Sequence, residues 1–130
     1  MNWRWYVMVA VGGALGALAR TLAQELAKCT LGDAWPYGTF GVNVIGAFLI
    51  GCVLYQPNPT DTPGFHATWF TAGFLGALTT FSAFSYDNYR MLFVKQEYLA
   101  GFLNITLSML LCLAAVGGGI WSARQWWARG

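Results

Sequence analysis

Charge is scarce in this sequence. Asp, Glu, Lys and Arg together make up 9% of its 130 residues, whereas hydrophobic residues make up 57%. Because a soluble domain carries about 25% charged residues, this chain lacks the polar surface that would keep it in water. Its net charge of +2 is scattered along the chain and forms no basic patch of the kind that binds nucleic acid, so we expect no nucleic-acid partner.

Side chains that carry out covalent chemistry are also rare. The three cysteines, Cys29, Cys52 and Cys112, lack the spacing of a metal site or a redox pair. Cys52 and Cys112 lie in apolar runs, where cysteine behaves as a small hydrophobic residue. The sequence shows no cluster that combines a nucleophile with a base, and no set of metal ligands. It therefore predicts that the protein is not an enzyme.

What the chain has instead is long apolar runs. Residues 34–60, 62–86 and 98–123 contain no charged residue, and each can supply the roughly 20 residues that cross about 30 Å of hydrocarbon. The run at residues 5–19 is shorter, but Arg4 and Arg20 can extend it by snorkelling. We therefore predict an all-α membrane protein with a single transmembrane domain over residues 1–130. Its four transmembrane helices are predicted near residues 3–28, 36–55, 65–95 and 98–124.

Glycine is placed where helices would pack or break. Gly12 and Gly16 in predicted helix 1 form a pair of small residues that lets another helix approach closely in lipid. Predicted helix 3 is too long for one unbroken crossing, and residues 73–80 combine two glycines with two threonines. Irregular backbone at membrane depth occurs where it is buried in protein or lines a cavity, and its freed carbonyls can bind a cation. We therefore predict that helix 3 is broken there.

Two polar stripes run along the predicted helices. Thr39 and Asn43 are four residues apart in helix 2, and Asn104 and Ser108 are four apart in helix 4, so each pair shares a helical face. An amide in hydrocarbon costs free energy unless it is hydrogen-bonded. Asn43 therefore either joins two helices, as in many bundles, or donates into a polar path. Because Thr39 lies on the same face, we favour the path.

Aromatic and hydroxyl side chains follow the predicted break. Phe81 and Phe84 are three residues apart, and Ser82 lies on the neighbouring face. Such a phenylalanine pair commonly serves packing alone, but a phenyl ring also has a positive edge. Ring edges together with amide and hydroxyl donors can replace the hydration of a small anion. No acid lies at mid-depth, where a cation path would need one, so the residues favour an anion.

Basic residues are almost evenly divided between the two sides of the predicted membrane domain. The sides carry 3 and 4 Lys or Arg residues, so the positive-inside rule has little bias to act on. Chains inserted in both orientations could pair as an antiparallel, dual-topology homodimer, which imitates the inverted repeats of larger transport proteins. The residues on the first side are Arg4, Arg124 and Arg129, and those on the second are Arg20, Lys28, Arg90 and Lys95.

Other interpretations compete with an anion path. A small dual-topology transporter of the multidrug-exporter type also has four helices, but it needs a buried acid in helix 1, where residues 12–19 contain none. A non-conducting membrane subunit would explain the glycine packing but not the aligned donors and paired phenylalanines. Arg20 fits either an interfacial arginine that snorkels or one that bonds to backbone carbonyls near a vestibule.

The chain resembles the small fluoride channels of the CrcB/Fluc family. The resemblance occurs in all four predicted helices in the same order, and its most specific part is the string Thr-Thr-Phe-Ser-x-Phe. Ala77 stands where the family usually has a second glycine, Thr21 where an aromatic residue is usual, and Asn104 where many members have tyrosine. The matching stretches are residues 12–20, 38–46 and 73–84, and then the Ser108 face of helix 4.

This resemblance implies a dual-topology homodimer in the bacterial inner membrane, with two fluoride-selective pores through which fluoride is exported passively. It also implies a structural sodium ion at the dimer centre, bound by the backbone carbonyls of Gly76 and Thr79 from both subunits. The expected partners are fluoride, the lipid bilayer and a second copy of the chain. The implied pore residues are Phe81 and Phe84 through their ring edges, Asn43 as a donor, and Thr39, Ser82 and Ser108 as a hydroxyl track; Arg20 belongs to the vestibule.

Overall fold

The computed structural model describes residues 3–55, 67 and 69–129, and within them the chain is helical and contains no strand. Three helices are long and apolar enough to cross a membrane. These are α1 (Trp3–Leu31), α2 (Tyr37–Leu54) and a last helix, Tyr98–Arg129, which is α5 in the numbering below. The prediction of an all-α, multi-pass membrane protein is therefore confirmed.

Residues 69–94, which lie between α2 and α5, are helical but discontinuous. Its first part, α3, is a π-helical stretch, Trp69–Leu75, that continues as one α-helical turn, Gly76–Leu78. Its second part, α4, is an α-helix, Phe81–Tyr89, that continues as a π-helical stretch, Arg90–Val94. The start that was predicted near Phe65 lies outside the described residues.

Two extended residues separate α3 from α4. Thr79 has φ −81° and ψ 149°, and Thr80 has φ −150° and ψ 119°. The Thr80 side chain then accepts a hydrogen bond from the backbone N–H of Ala83 at 3.2 Å. Threonine is a good residue at this capping position because its hydroxyl satisfies one of the N–H groups that a new helix leaves unpaired. Thr80 therefore both ends the extended step and begins α4.

The other helix ends follow local signals. α1 continues to Leu31, where the sequence predicted an end near Lys28. It stops at Gly32, which has φ +83° and donates its N–H to the Lys28 carbonyl at 3.0 Å. Glycine reaches this left-handed conformation without steric cost, which makes it a common residue just past a helix. Pro36 precedes α2, and its carbonyl accepts from Phe40 N–H at 3.0 Å.

Glycines set the closest approaches between helices. A Cβ atom at Gly16 would overlap the Phe74 carbonyl, and a Cβ atom at Gly12 would lie 3.1 Å from Phe74 N. Similarly, a Cβ atom at Gly51 would overlap the Val116 carbonyl, and one at Gly119 would meet the backbone of α2. The predicted close packing at Gly12 and Gly16 is therefore confirmed, with α3 as the partner helix. A second contact of the same kind holds α2 against α5.

The described interior is partly polar, and the described exterior is largely apolar. Large hydrophobic side chains are exposed along α1 and α5 in particular, which is the reverse of a protein that folds in water. The buried hydrophobic residues are Val42, Leu75, Leu78, Phe84 and Met91. The buried polar residues are Thr39, Thr80, Asn88, Asn104 and Ser108. Three of the polar side chains predicted to lie in the bilayer, those of Thr39, Asn104 and Ser108, are thus inside the helix bundle.

Candidate functional site

Asn43 bonds to the extended step between α3 and α4. Its Oδ1 accepts from the backbone N–H of Thr80 at 2.8 Å, and its Nδ2 donates to the Thr80 carbonyl at 3.1 Å. The side chain therefore satisfies both polar backbone groups of a residue that lies outside any helix, which buried backbone requires. An amide nitrogen carries two hydrogens, so Nδ2 keeps one for another acceptor.

The bonds around Thr80 release two backbone carbonyls from the helical pattern. In an α-helix the Gly76 carbonyl would accept from the Thr80 N–H, which here donates to Asn43 instead. The Thr79 carbonyl would accept from the Ala83 N–H, which here donates to the Thr80 hydroxyl. The two carbonyls implied as sodium ligands are therefore among those that the interruption releases from helical hydrogen bonding.

Phe81 and Phe84 lie at the start of α4 with very different environments. Their ring centroids are 5.5 Å apart and their planes are inclined by 40°. Phe84 is 7% exposed, whereas Phe81 is 72% exposed. One ring is thus held inside the chain, and the other projects away from it.

A groove of about 410 Å³ at the surface of the chain brings these groups together. It lies between α2, the interruption and α5, and its described lining contains no Asp, Glu, Lys or Arg. The lining is largely apolar, with a small number of hydroxyl and amide groups. The predicted site residues that line it are Asn43, Gly76, Thr79, Phe81, Phe84 and Ser108.

Thr39 lines a second cavity, of about 250 Å³, near the ends of α1 and α4. Its hydroxyl accepts a hydrogen bond from Gln24 Nε2 of α1 at 3.1 Å. Thr39 and Asn43 share one face of α2, as predicted, yet they contact different elements and line different cavities. Charged residues occur in this second cavity, namely Lys28, Asp33, Asp87, Arg90 and Lys95.

Ser82 and Arg20 are not among the described residues that line either cavity. Ser82 is exposed, and its hydroxyl lies 3.1 Å from the Thr80 hydroxyl. Arg20 is half-buried on α1, one helical turn before Gln24. The structure thus groups most of the predicted pore residues in the groove and leaves Thr39, Ser82 and Arg20 outside it.

Comparison with known proteins gives a family. A sequence profile described as CrcB-like protein, Camphor Resistance (CrcB), matches residues 7–120. The chain belongs to the CrcB family. The resemblance inferred from the sequence is therefore confirmed.

Relatives of this CrcB chain are named Fluoride-specific ion channel FluC. One, from Geobacter metallireducens, is 44% identical over 120 residues, which cover 92% of this chain and 96% of the relative. Another, from Geobacter sulfurreducens, is 42% identical over 118 residues, covering 90% and 94%. A third, from Campylobacter lari, is 41% identical over 109 residues, covering 83% and 88%. These names describe ion channels, in agreement with the prediction that this CrcB chain is not an enzyme.

The CrcB chain also contains a polar network, of which the sequence interpretation identified only the stripe of Asn104 and Ser108. Ser108 donates to Asn104 Oδ1 at 3.4 Å, Asn104 Nδ2 donates to Asn88 Oδ1 at 2.9 Å, and Asn88 Nδ2 donates to the Phe84 carbonyl at 2.8 Å. The spacing of Asn88 could have indicated its part in the network, because Asn88 lies four residues after Phe84 and therefore on the same helical face. Gln24 and Thr80 were missed as well, because their partners are distant in the sequence.

Proposed function

We propose that this protein is a fluoride-selective channel that exports fluoride passively across the bacterial inner membrane. The groove carries this proposal, because it gathers Asn43, Phe84 and Ser108 beside the interruption while its described lining contains no Lys or Arg. A small anion there meets donors and ring edges but no fixed positive charge that would trap it. Conduction needs such a balance between entering and leaving a site.

The chain's own groups would replace the hydration shell of the ion. The remaining Asn43 amide hydrogen and the Ser108 hydroxyl can donate hydrogen bonds to fluoride. The edge of the Phe84 ring carries positive quadrupole density and faces an anion favourably. Thr39 lies outside the groove and would act in the second cavity, on the way to the groove. Its hydroxyl would be oriented there by Gln24. Ser82 would join the hydroxyl track through its contact with Thr80.

A second, antiparallel copy of the chain would complete two such pores. Phe81 is 72% exposed, so most of its ring is not covered by its own chain. Gly76 is exposed too, and among the described residues a Cβ atom there would meet only the Thr71 carbonyl, at 3.5 Å. Packing within the chain therefore gives no reason for glycine at this position, whereas close approach of a second copy would. Pairing about a two-fold axis in the membrane plane matches the even distribution of basic residues.

The interruption would lie at the centre of that homodimer. We propose that α3 and α4 form one broken transmembrane helix, the fourth span of the bundle. The carbonyls of Gly76 and Thr79, from both copies, would then hold a structural sodium ion. The positive charge of a sodium ion attracts the negative ends of several carbonyl dipoles at once. Backbone carbonyls of unwound helix segments are known to coordinate sodium. Replacing sodium by a large organic cation should lower the melting temperature of the purified dimer; an unchanged value would contradict the site.

The second cavity would form the mouth of each pore. It combines Lys28, Arg90 and Lys95 with the carboxylates of Asp33 and Asp87, so it is hydrated and slightly basic. Arg20 would contribute to the positive potential near this end of α1. Such a vestibule concentrates anions before they lose their hydration shell.

Anion efflux from liposomes that contain the purified protein tests the proposal. Vesicles are loaded with potassium fluoride or potassium chloride and made permeable to potassium with valinomycin. Ion-selective electrodes then measure the release of each anion. We expect rapid fluoride release and negligible chloride release. If a monodisperse, thermally cooperative sample releases no fluoride, the channel function is wrong. Proton-coupled release of an organic cation would instead support the exporter interpretation.

A further inference from the structure

Three hydrogen bonds link Ser108 to the Phe84 carbonyl through Asn104 and Asn88, and in each of them the donor is the residue nearer Ser108. The Phe84 carbonyl can only accept, so Asn88 must turn its amide nitrogen toward it. The Asn88 oxygen then accepts from the Asn104 nitrogen. The Asn104 oxygen is left to accept from the Ser108 hydroxyl. One backbone carbonyl therefore fixes the orientation of both amides and the direction of the hydroxyl hydrogen.

The network is tight between its two amides and loose at Ser108, although all three side chains are buried. The two amide bonds measure 2.8 and 2.9 Å, and Asn88, Asn104 and Ser108 are 6%, 1% and 4% exposed. The Ser108 bond measures 3.4 Å, whereas a hydroxyl bond to oxygen is usually about 2.7–2.8 Å long. Ser108 lines the groove, so its hydrogen can turn from Asn104 toward an ion there at small cost.

We propose that Asn88 is a positioning residue for anion permeation, which acts through Asn104 to hold the Ser108 hydroxyl ready to donate into the groove. This inference rests on the proposed channel function and deepens it. A fluoride ion that arrives accepts the hydrogen bond of the Ser108 hydroxyl, and Asn104 Oδ1 accepts that bond again when the ion leaves. The donor is therefore available to the ion without binding it tightly, as conduction requires.

A structural role for Asn88 makes a different prediction. If the network served only to pair buried polar groups, removing both amides together would be almost neutral, since apolar groups of similar shape leave nothing unpaired. If the network positions Ser108, removing both amides also takes away Asn104 Oδ1, the acceptor of the Ser108 hydroxyl. Its hydrogen then turns to a carbonyl one turn earlier on its own helix, as serine commonly does.

The double variant Asn88→Leu/Asn104→Leu separates the two roles. We expect a melting temperature close to that of the wild type together with fluoride efflux about tenfold slower, the loss that corresponds to one hydrogen bond to a charged group. Fluoride efflux at the wild-type rate in a stable double variant would overturn the inference. Thr30→Val is the control, because it removes an exposed hydroxyl that bonds to its own helix at 2.7 Å and Thr30 is not among the described residues that line either cavity.

Ser108→Ala, made in both backgrounds, tests whether Asn88 acts through Ser108. In the wild type we expect this substitution to slow fluoride efflux about tenfold. In the Leu/Leu background we expect no further loss, because residues that act as a unit are not additive. A further tenfold loss would show that the network does not act through Ser108. Absence of fluoride efflux from the wild type would instead refute the channel function itself, so the two failures are distinguishable.

Discussion

At the scale of single residues, the polar side chain of Asn43 lines the groove and also bonds to backbone. Asn43 pairs with both backbone groups of Thr80, across 37 residues of sequence. The cost of an unpaired amide in hydrocarbon predicted that Asn43 has a partner. Which partner it has could not be predicted, because that depends on how α2 lies against the interruption.

Phe84→Ile tests whether the ring edge contributes to conduction. Isoleucine fills much of the same space but has no positive edge, so we expect fluoride efflux to fall about tenfold, or about 1.4 kcal/mol. Liposome efflux with a fluoride electrode measures the change. Phe93→Ile is a matched control on α4, since Phe93 is exposed and is not among the described lining residues of the groove. Equal rates for both variants would mean that Phe84 serves packing alone.

Asn43→Asp tests whether an amide is needed beside the interruption. Aspartate keeps an acceptor for the Thr80 N–H but loses the donor to the Thr80 carbonyl, and its charge opposes an anion in the groove. We expect fluoride efflux to be reduced by at least about a hundredfold, since a like charge in a site of low dielectric costs several kcal/mol. Gln125→Glu, the same chemical change at an exposed position of α5 that is not among the described lining residues of either cavity, should conduct normally. Normal efflux through the Asn43 variant would exclude Asn43 from the path.

At the scale of helices, glycine positions decide which elements pack together. The pair Gly12 and Gly16 was predictable, because small residues at this spacing are what close helix packing in lipid requires. Gly119 lies in a run of three glycines, residues 117–119, and the sequence does not show which of them faces a neighbour. Only the rotation of α5 against α2 distinguishes them.

Gly119→Ala and Gly117→Ala are a matched pair of variants that tests which of these glycines faces α2. A Cβ atom at Gly119 would overlap the Phe48 carbonyl and lie 2.9 Å from Cys52 N, whereas one at Gly117 would meet no atom of the described part of the chain within 4 Å. Overpacking costs about 1–3 kcal/mol, while alanine improves helix propensity by about 1 kcal/mol. Thermal unfolding in detergent should show Gly119→Ala destabilised and Gly117→Ala unchanged or more stable. Equal destabilisation of both would mean that this contact between α2 and α5 is not close.

At the scale of the whole molecule, a single chain leaves several features unexplained. The groove lies at its surface, Phe81 projects outward, and the described residues give no packing reason for glycine at position 76. The proposed second copy against the interruption would account for each of these. The sequence indicated such pairing only indirectly, through its even division of basic residues between the two sides.

Accessibility of the C-terminal end of α5 tests the antiparallel homodimer. In a variant that carries Arg129→Cys and lacks the three native cysteines, a membrane-impermeant thiol reagent should label about half of the protein in sealed inside-out vesicles. Full labelling is expected after the membrane is permeabilised, which serves as the control. The expectation follows from the near absence of a charge bias for orientation. Labelling from one side only would contradict dual topology.

The sequence by itself determined that this protein lies in a membrane, that it is helical and that it belongs to a family of small channel-like proteins. Those conclusions depend on composition, on the length of the apolar runs and on a short specific string, all of which are local properties. The tertiary structure decided what the polar residues contact. It joined Asn43 to Thr80, Gln24 to Thr39, and Asn88 to Asn104, and it separated Thr39 from the groove. These pairings need residues from different helices at hydrogen-bond distance, and the rotation and depth of packed helices are set by the whole bundle rather than by any one stretch of sequence.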